Sequence, residues 1–184
     1  MAILVEQLDN NNLITISDLD NETISQSLYF KKSATITSVK MICGDANATI
    51  PNSDAYRCEI RPALGPDYLI DLTTDPVAYS PWVSNDDLYP IPYEITFDFS
   101  VSIDAGFYFF TFTPNQQLEN PVSLWCQIGG RYTGKFIKQE FGTGIYRQDT
   151  SLYIQAIGVW VGGILMNRSL AINPYTINYL RDDS

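Results

Sequence analysis

The sequence predicts an all-β fold, built as a two-sheet antiparallel β-sandwich with extended N- and C-terminal arms. Three observations predict it. Apolar and polar residues alternate with period two through most of the chain, and no window of helical length carries a 3.6-residue apolar stripe. Aromatic residues make up 13% of the chain, led by 12 Tyr and 9 Phe, a composition that favours strands. Prolines and glycines fall between the alternating stretches rather than inside them. At 184 residues with 45% hydrophobic content, one domain can close a core without disulfides or metal.

Taken in order, residues 1–22 hold one apolar cluster, Ile3-Leu4-Val5, followed by Asp9-Asn10-Asn11-Asn12. They read as an N-terminal arm. Ile24–Phe30 and Ile36–Cys43 are two strands, and the polar stretch 44–54 with Pro51 is a loop. Tyr56-Arg57-Cys58-Glu59-Ile60-Arg61 places three apolar groups on one face and three charges on the other, as a half-buried antiparallel strand does. Residues 62–92 contain six prolines and are expected to hold a short strand near 68–72 and then a surface excursion. Tyr93–Val101 alternates again with five inward groups. Asp104-Ala105-Gly106 is a tight turn into Phe107–Phe112, which is apolar on both faces and so is expected to be central and covered on each side. Val122–Ile128 and Leu152–Ala156 complete the set. Strands so numerous call for two stacked sheets, and a long crossing connection would make the sandwich a jelly roll. The expected division is an arm at 1–22, the sandwich at 23–158 and a second arm at 159–184.

Composition excludes several chemistries. There is no His, so Ser-His-Asp and Cys-His machinery and His-containing zinc sites are absent. A net charge of −10 opposes nucleic acid and anionic membrane as partners. The charge is uneven: residues 1–30 carry five acids and no base, and Arg131–Arg147 carries four bases and one acid, a pattern expected of solvated faces. Three Cys without a Cys-x-x-Cys encode no zinc ribbon. Cys43 and Cys58 fall on strands expected to be adjacent and inward, where buried free thiols are favoured over a bridge. The start of the chain lacks the basic and long apolar segments of a signal peptide.

Gly129-Gly130-Arg131-Tyr132-Thr133-Gly134-Lys135-Phe136 approaches a phosphate-binding loop, but Phe136 replaces the magnesium-binding hydroxyl and no helix follows. The stretch 129–147 instead interleaves Tyr132, Phe136, Phe141 and Tyr146 with Arg131, Lys135, Lys138 and Arg147. Such a loop suits a protein partner or a sugar; the alternative is a hairpin whose aromatics cover the end of the sandwich. Asp18–Glu22 and Asp86-Asp87 offer oxygen atoms but not the spacing of a calcium loop. No cofactor is therefore expected. Carboxylate pairs on one outward strand face, notably Glu94 with Asp98, could in principle serve a His-free glycosidase, and solvent-facing acids are the simpler reading.

Ile24-Ser25-Gln26-Ser27-Leu28-Tyr29-Phe30 and Ala34-Thr35-Ile36-Thr37-Ser38-Val39 resemble the "Q-S-F" and "T-I-T-S-V" strands of a group of β-sandwich domains found in phage virion accessory proteins and bacterial surface attachment modules. Cys58-Glu59-Ile60-Arg61 is similar to its "V-x-I-R" strand. Ile95–Phe99, Val101–Gly106 and Tyr108–Phe110 resemble its "F-x-F … V-x-L-x-A-G-x-x-Y-x-F" hairpin. The match spans about residues 24–158 and excludes both arms. It implies a jelly roll used for attachment, carbohydrate contact or particle assembly, with no catalytic residues to carry over.

The expected function is that of a non-enzymatic virion structural protein, made in the host cytoplasm, in a tail, baseplate, fibre-attachment or capsid-decorating position. Its partners would be copies of itself and other virion proteins, held by Trp160, Ile164, Leu165 and Tyr175 of the C-terminal arm. The alternative is a carbohydrate-binding module for cell-surface glycan. Trp82, Arg131, Tyr132, Phe136 and Tyr146 are the candidate partner or glycan contacts.

Overall fold

The computed structural model describes residues 1–7, 12–16, 23–43, 55–63, 70, 75–84, 93–115, 122–128, 136–140, 143–147 and 150–161. They form fourteen strands and, among the described residues, no helix. The strands are β1 (Ala2–Gln7), β2 (Asn12–Ile16), β3 (Thr23–Phe30), β4 (Ala34–Cys43), β5 (Ala55–Pro62), β6 (Ala78–Tyr79) and β7 (Val83–Ser84). They continue as β8 (Tyr93–Ile103), β9 (Gly106–Pro114), β10 (Val122–Ile128), β11 (Phe136–Glu140), β12 (Thr143–Arg147), β13 (Thr150–Leu152) and β14 (Ile154–Trp160). The all-β, two-sheet antiparallel sandwich is as the period-two alternation predicts.

The first sheet runs β1-β14-β4-β10-β13, with β8 on β4 and β2 on β10. The second runs β12-β11-β3-β9-β5-β6, with β7 also on β5. Each step along β3, β4, β5, β8, β9 and β10 passes to the opposite sheet. Residues 104–105 therefore form a corner between sheets rather than the expected hairpin: β8 pairs with β4 and β9 pairs with β3 and β5. Gly106 opens β9 at φ +154°, a backbone that L side chains rarely adopt. The β3–β4 connection makes the neighbouring corner, and the Ser33 hydroxyl donates to Asp104 Oδ1 at 3.2 Å, tying the two together.

The inner faces meet in one apolar layer. Phe112 stacks on Tyr56 within its own sheet at 5.0 Å and meets Phe97 of the other sheet edge-on at 6.0 Å. Phe30 likewise reaches Trp160 across the layer at 6.2 Å. Among the described residues, one polar side chain lies in this interior. Gln26 is fully buried, its Oε1 accepts the Leu152 backbone N–H at 2.9 Å, and its amide donates to the Ser27 carbonyl at 3.2 Å. A side chain of the second sheet thereby satisfies a backbone donor of the first, where an unmet donor would be costly. Phe109, on the opposite face of β9, is also fully buried, so this strand is central and covered on both sides as expected.

Four expectations change. Residues 2–7 and 12–16 are not part of an arm but strands of the first sheet, paired with β14 and β10. Ala2-Ile3-Leu4-Val5 has no alternation to announce a strand; backbone pairing along β14 and burial of Leu4 decide it. The second arm does not begin at 159, because β14 continues to Trp160 and Val161 N–H donates to Ser33 O. Trp160 itself packs half-buried against the core, while Ile164, Leu165 and Tyr175 lie outside the described residues, as does all but Ile70 of the strand expected near 68–72. Finally, Cys43 and Cys58 sit in facing sheets rather than on adjacent strands, and both are free and buried. The change of sheet at every major connection separates strands that are consecutive in sequence.

Gly158 lies opposite a bulge in β4, where Thr37 is the extra residue and the register against β14 shifts between Ile157 and Gly158. A Cβ there would lie 2.0 Å from the Thr35 carbonyl oxygen, a backbone atom that cannot swing aside. Gly158→Ala is expected to destabilise the fold by at least about 2 kcal/mol in urea unfolding; an unchanged midpoint would refute this account of the bulge. Burial pushes the Cys43 thiol from 9.0 up to about 12, and burial, with the Glu59 charge second, raises Cys58 well above the same value. A raised thiol stabilises the fold fully below pH 9.0, and that contribution is lost as pH rises through the folded-state value. Stability followed from pH 9.0 to about 12 should fall less steeply in Cys43→Ala than in the unaltered chain.

Candidate functional site

On the outward face of β5, alternation aligns Arg57, Glu59 and Arg61. The three form an ion-paired row. Glu59 Oε1 accepts from Arg57 Nε and Nη2 at 2.9 and 2.6 Å, and Glu59 Oε2 accepts from Arg61 Nε and Nη2 at 3.0 and 2.7 Å. Glu59 is only 3% exposed and Arg61 8%. The sequence places these charges in solvent; the structure buries them, because one carboxylate shared by two guanidinium forks satisfies what burial would otherwise leave unpaired. Two threonine hydroxyls on the same face, of Thr23 and of Thr113 opposite Arg57, are buried without a hydrogen-bond partner.

Arg57 is the exposed end of the row, and two aromatic rings flank it. Its Cζ lies 4.7 Å from the centre of the Trp82 ring and 5.0 Å from that of Tyr79, within cation–π range. Tyr79 faces Glu59 across the β5–β6 pair, and Trp82 immediately precedes β7. Ser80 fixes the link between them. Its N–H donates to the Cys58 carbonyl at 2.9 Å, and its hydroxyl accepts from Cys58 N–H at 3.1 Å and donates to Pro81 O at 2.8 Å. Tyr79 remains 63% exposed and Trp82 45%. The result is a rigid platform of two open aromatic rings joined by one guanidinium.

Of the residues singled out by sequence, only Trp82 belongs to this platform. Phe136 opens β11 opposite Gln26 of β3 and Arg147 of β12, and Tyr146 pairs with Ile137. These strands form the other edge of the second sheet. Five strand spacings separate β12 from β7, roughly 24 Å, so Trp82 and Tyr146 do not share one binding face. Arg131 and Tyr132 lie outside the described residues. Arg57 and Tyr79 were missed. The available signal was Tyr79-Ser80-Pro81-Trp82, two aromatics set around a proline beside a strand that carries arginines.

The carboxylate pair on β8 does not converge. Glu94 and Asp98 are both exposed and four residues apart along one strand, roughly 13 Å, beyond the ~5–9.5 Å of glycosidase pairs. Glu94 is engaged by Lys40 of β4. Among the described residues no group of three His, Cys, Asp or Glu side chains forms a metal site; Asp18–Glu22 and Asp86-Asp87 fall outside them. No helix among the described residues is long and apolar enough to cross a membrane. Neither any protein-family model nor any curated protein matches this sequence.

Because Glu59 compensates two arginines, Glu59→Gln is expected to cost about 3 kcal/mol of stability in urea unfolding. A loss below about 1 kcal/mol, the range of surface pairs, would show that the row does not behave as a buried ion pair.

Proposed function

We propose that this chain is a non-enzymatic structural subunit of a phage-like particle, acting through contacts with copies of itself and with other virion proteins. The observation that carries this reading is the edge strand β1. It pairs with β14 on one side only among the described residues, and its Ile3 is 50% exposed. Met1, Val159 and Val161 are exposed beside it. An apolar sheet edge of this kind is a template for a further strand, which natural monomers usually blunt.

The last described strand, β14, ends at this same place. Residues 162–184 follow Val161 and include Leu170-Ala171-Ile172 and Tyr175-Thr176-Ile177-Asn178-Tyr179, the latter alternating with the period of a strand. The reading is that this segment from one copy adds to β1 of the next. It is supported by the resemblance of residues 24–158 to virion and attachment domains. Burial of Ile3, Val159 and the tail's own Ile177 and Tyr175 would supply association energy at about 25 cal/mol per Å², before ordering costs.

The test compares the full chain with one ending at Val161, by size-exclusion chromatography with light scattering. The full chain is expected to have the mass of two or more copies and the shortened chain that of one. A monomeric full chain, or an unchanged assembly after shortening, would refute the reading.

A further inference from the structure

We propose that the Tyr79–Arg57–Trp82 platform binds a neutral pyranose, with the sugar ring stacked on the exposed aromatic faces. The site lies on the second sheet, and the reading does not rest on the assembly role of β1 in the first.

Three features support it. The first is open aromatic area held still. Tyr79 keeps most of its exposure to solvent and Trp82 nearly half, yet Arg57 lies over both rings and Ser80 bonds the backbone between them to β5. Rings fixed before a ligand arrives spare the ordering cost of binding. Val77, exposed alongside, extends the apolar surface.

The second feature is a donor at the rim. Arg57 gives Nε and Nη2 to Glu59 Oε1, which leaves Nη1 for a ligand oxygen. Its side chain is 27% exposed. A pyranose presents an apolar C–H face to a ring and hydroxyls at its edge, matching this pairing of π face and fork-shaped donor.

The third is charge. Glu59 is shared by Arg57 and Arg61, so two guanidiniums and one carboxylate leave the row a single net positive charge, whereas the whole chain carries −10. Long-range repulsion then disfavours acidic ligands, and a neutral sugar meets no such barrier. The buried row Arg57–Glu59–Arg61 acquires a role: it anchors the cation that orders both rings. Arg61 and Glu59 are thus positioning residues, and Tyr79, Trp82 and Arg57 are the contacts.

Saturation-transfer NMR on the full chain tests this, with methyl α-glucopyranoside, methyl β-galactopyranoside and N-acetylglucosamine as probes and glucuronate as the charged comparison. Transfer to ring protons of at least one neutral probe is expected, weaker for glucuronate. Trp82→Ala should lower affinity roughly tenfold or more, and Arg57→Lys, which keeps the charge but loses the fork, should lower it less. Trp82→Leu fills similar space without a π face, so it tests the same contact where alanine loosens β7; urea midpoints and light-scattering mass should be unchanged in it. No transfer from any neutral probe, equal transfer in Trp82→Leu, or preference for glucuronate would overturn the proposal. Because none of these readouts depends on oligomer mass, failure here is distinct from failure of the assembly reading.

Discussion

The two sheets share almost nothing but their inner faces. Each successive major strand changes sheet, so backbone hydrogen bonds knit strands that are distant in sequence and leave the sheet-to-sheet contact to side chains. Phe112 shows how the layer closes, stacked on Tyr56 beside it and edge-on to Phe97 opposite. Gln26 is the polar exception, and it reaches across to Leu152 of the other sheet. Apolar burial supplies attraction without direction; the Gln26–Leu152 bond and the Ser33–Asp104 tie between corners add direction.

With cohesion concentrated inside, the outer faces and edges are available for other work. The second sheet uses its outer face for a buried ion-paired row that ends in an open aromatic platform. The first sheet keeps its outer face charged, with Lys40 on Glu94, and leaves β1 as an apolar edge. These surfaces lie on different sheets, so the proposed strand addition and the proposed sugar contact need not compete. The register shifts of the first sheet fall in one region: β1 and β4 each carry an extra residue, Leu4 and Thr37, where they pair with residues 156–158 of β14.

Much of the fold was legible. Six of the expected strand regions, from 24–30 to 122–128, coincide with described strands, and the seventh, 152–156, is divided between β13 and β14; period-two alternation is the direct imprint of a half-buried sheet. The alternation does not announce β1, β2, β6 and β7, and β11 and β12 were legible only as the hairpin alternative for residues 129–147. They are short or lack alternation, and their existence depends on a neighbour to pair with. The platform was legible only through Trp82. Arg57 looked like a solvent charge, and Tyr79 sat in a proline-rich stretch that gives no partner.

The amino-acid order alone determined that the chain is all-β, lacks His-based chemistry, and carries apolar rows sufficient for two stacked sheets. Those properties follow from local periodicity and composition, which neighbours cannot alter. Only the tertiary structure decided that Cys43 and Cys58 lie in different sheets, that Glu59 and Arg61 are buried, and that Trp82 stands beside Arg57 rather than Tyr146. Sheet order and the switching of sheets at each corner set these juxtapositions, and both depend on contacts between residues far apart in the chain.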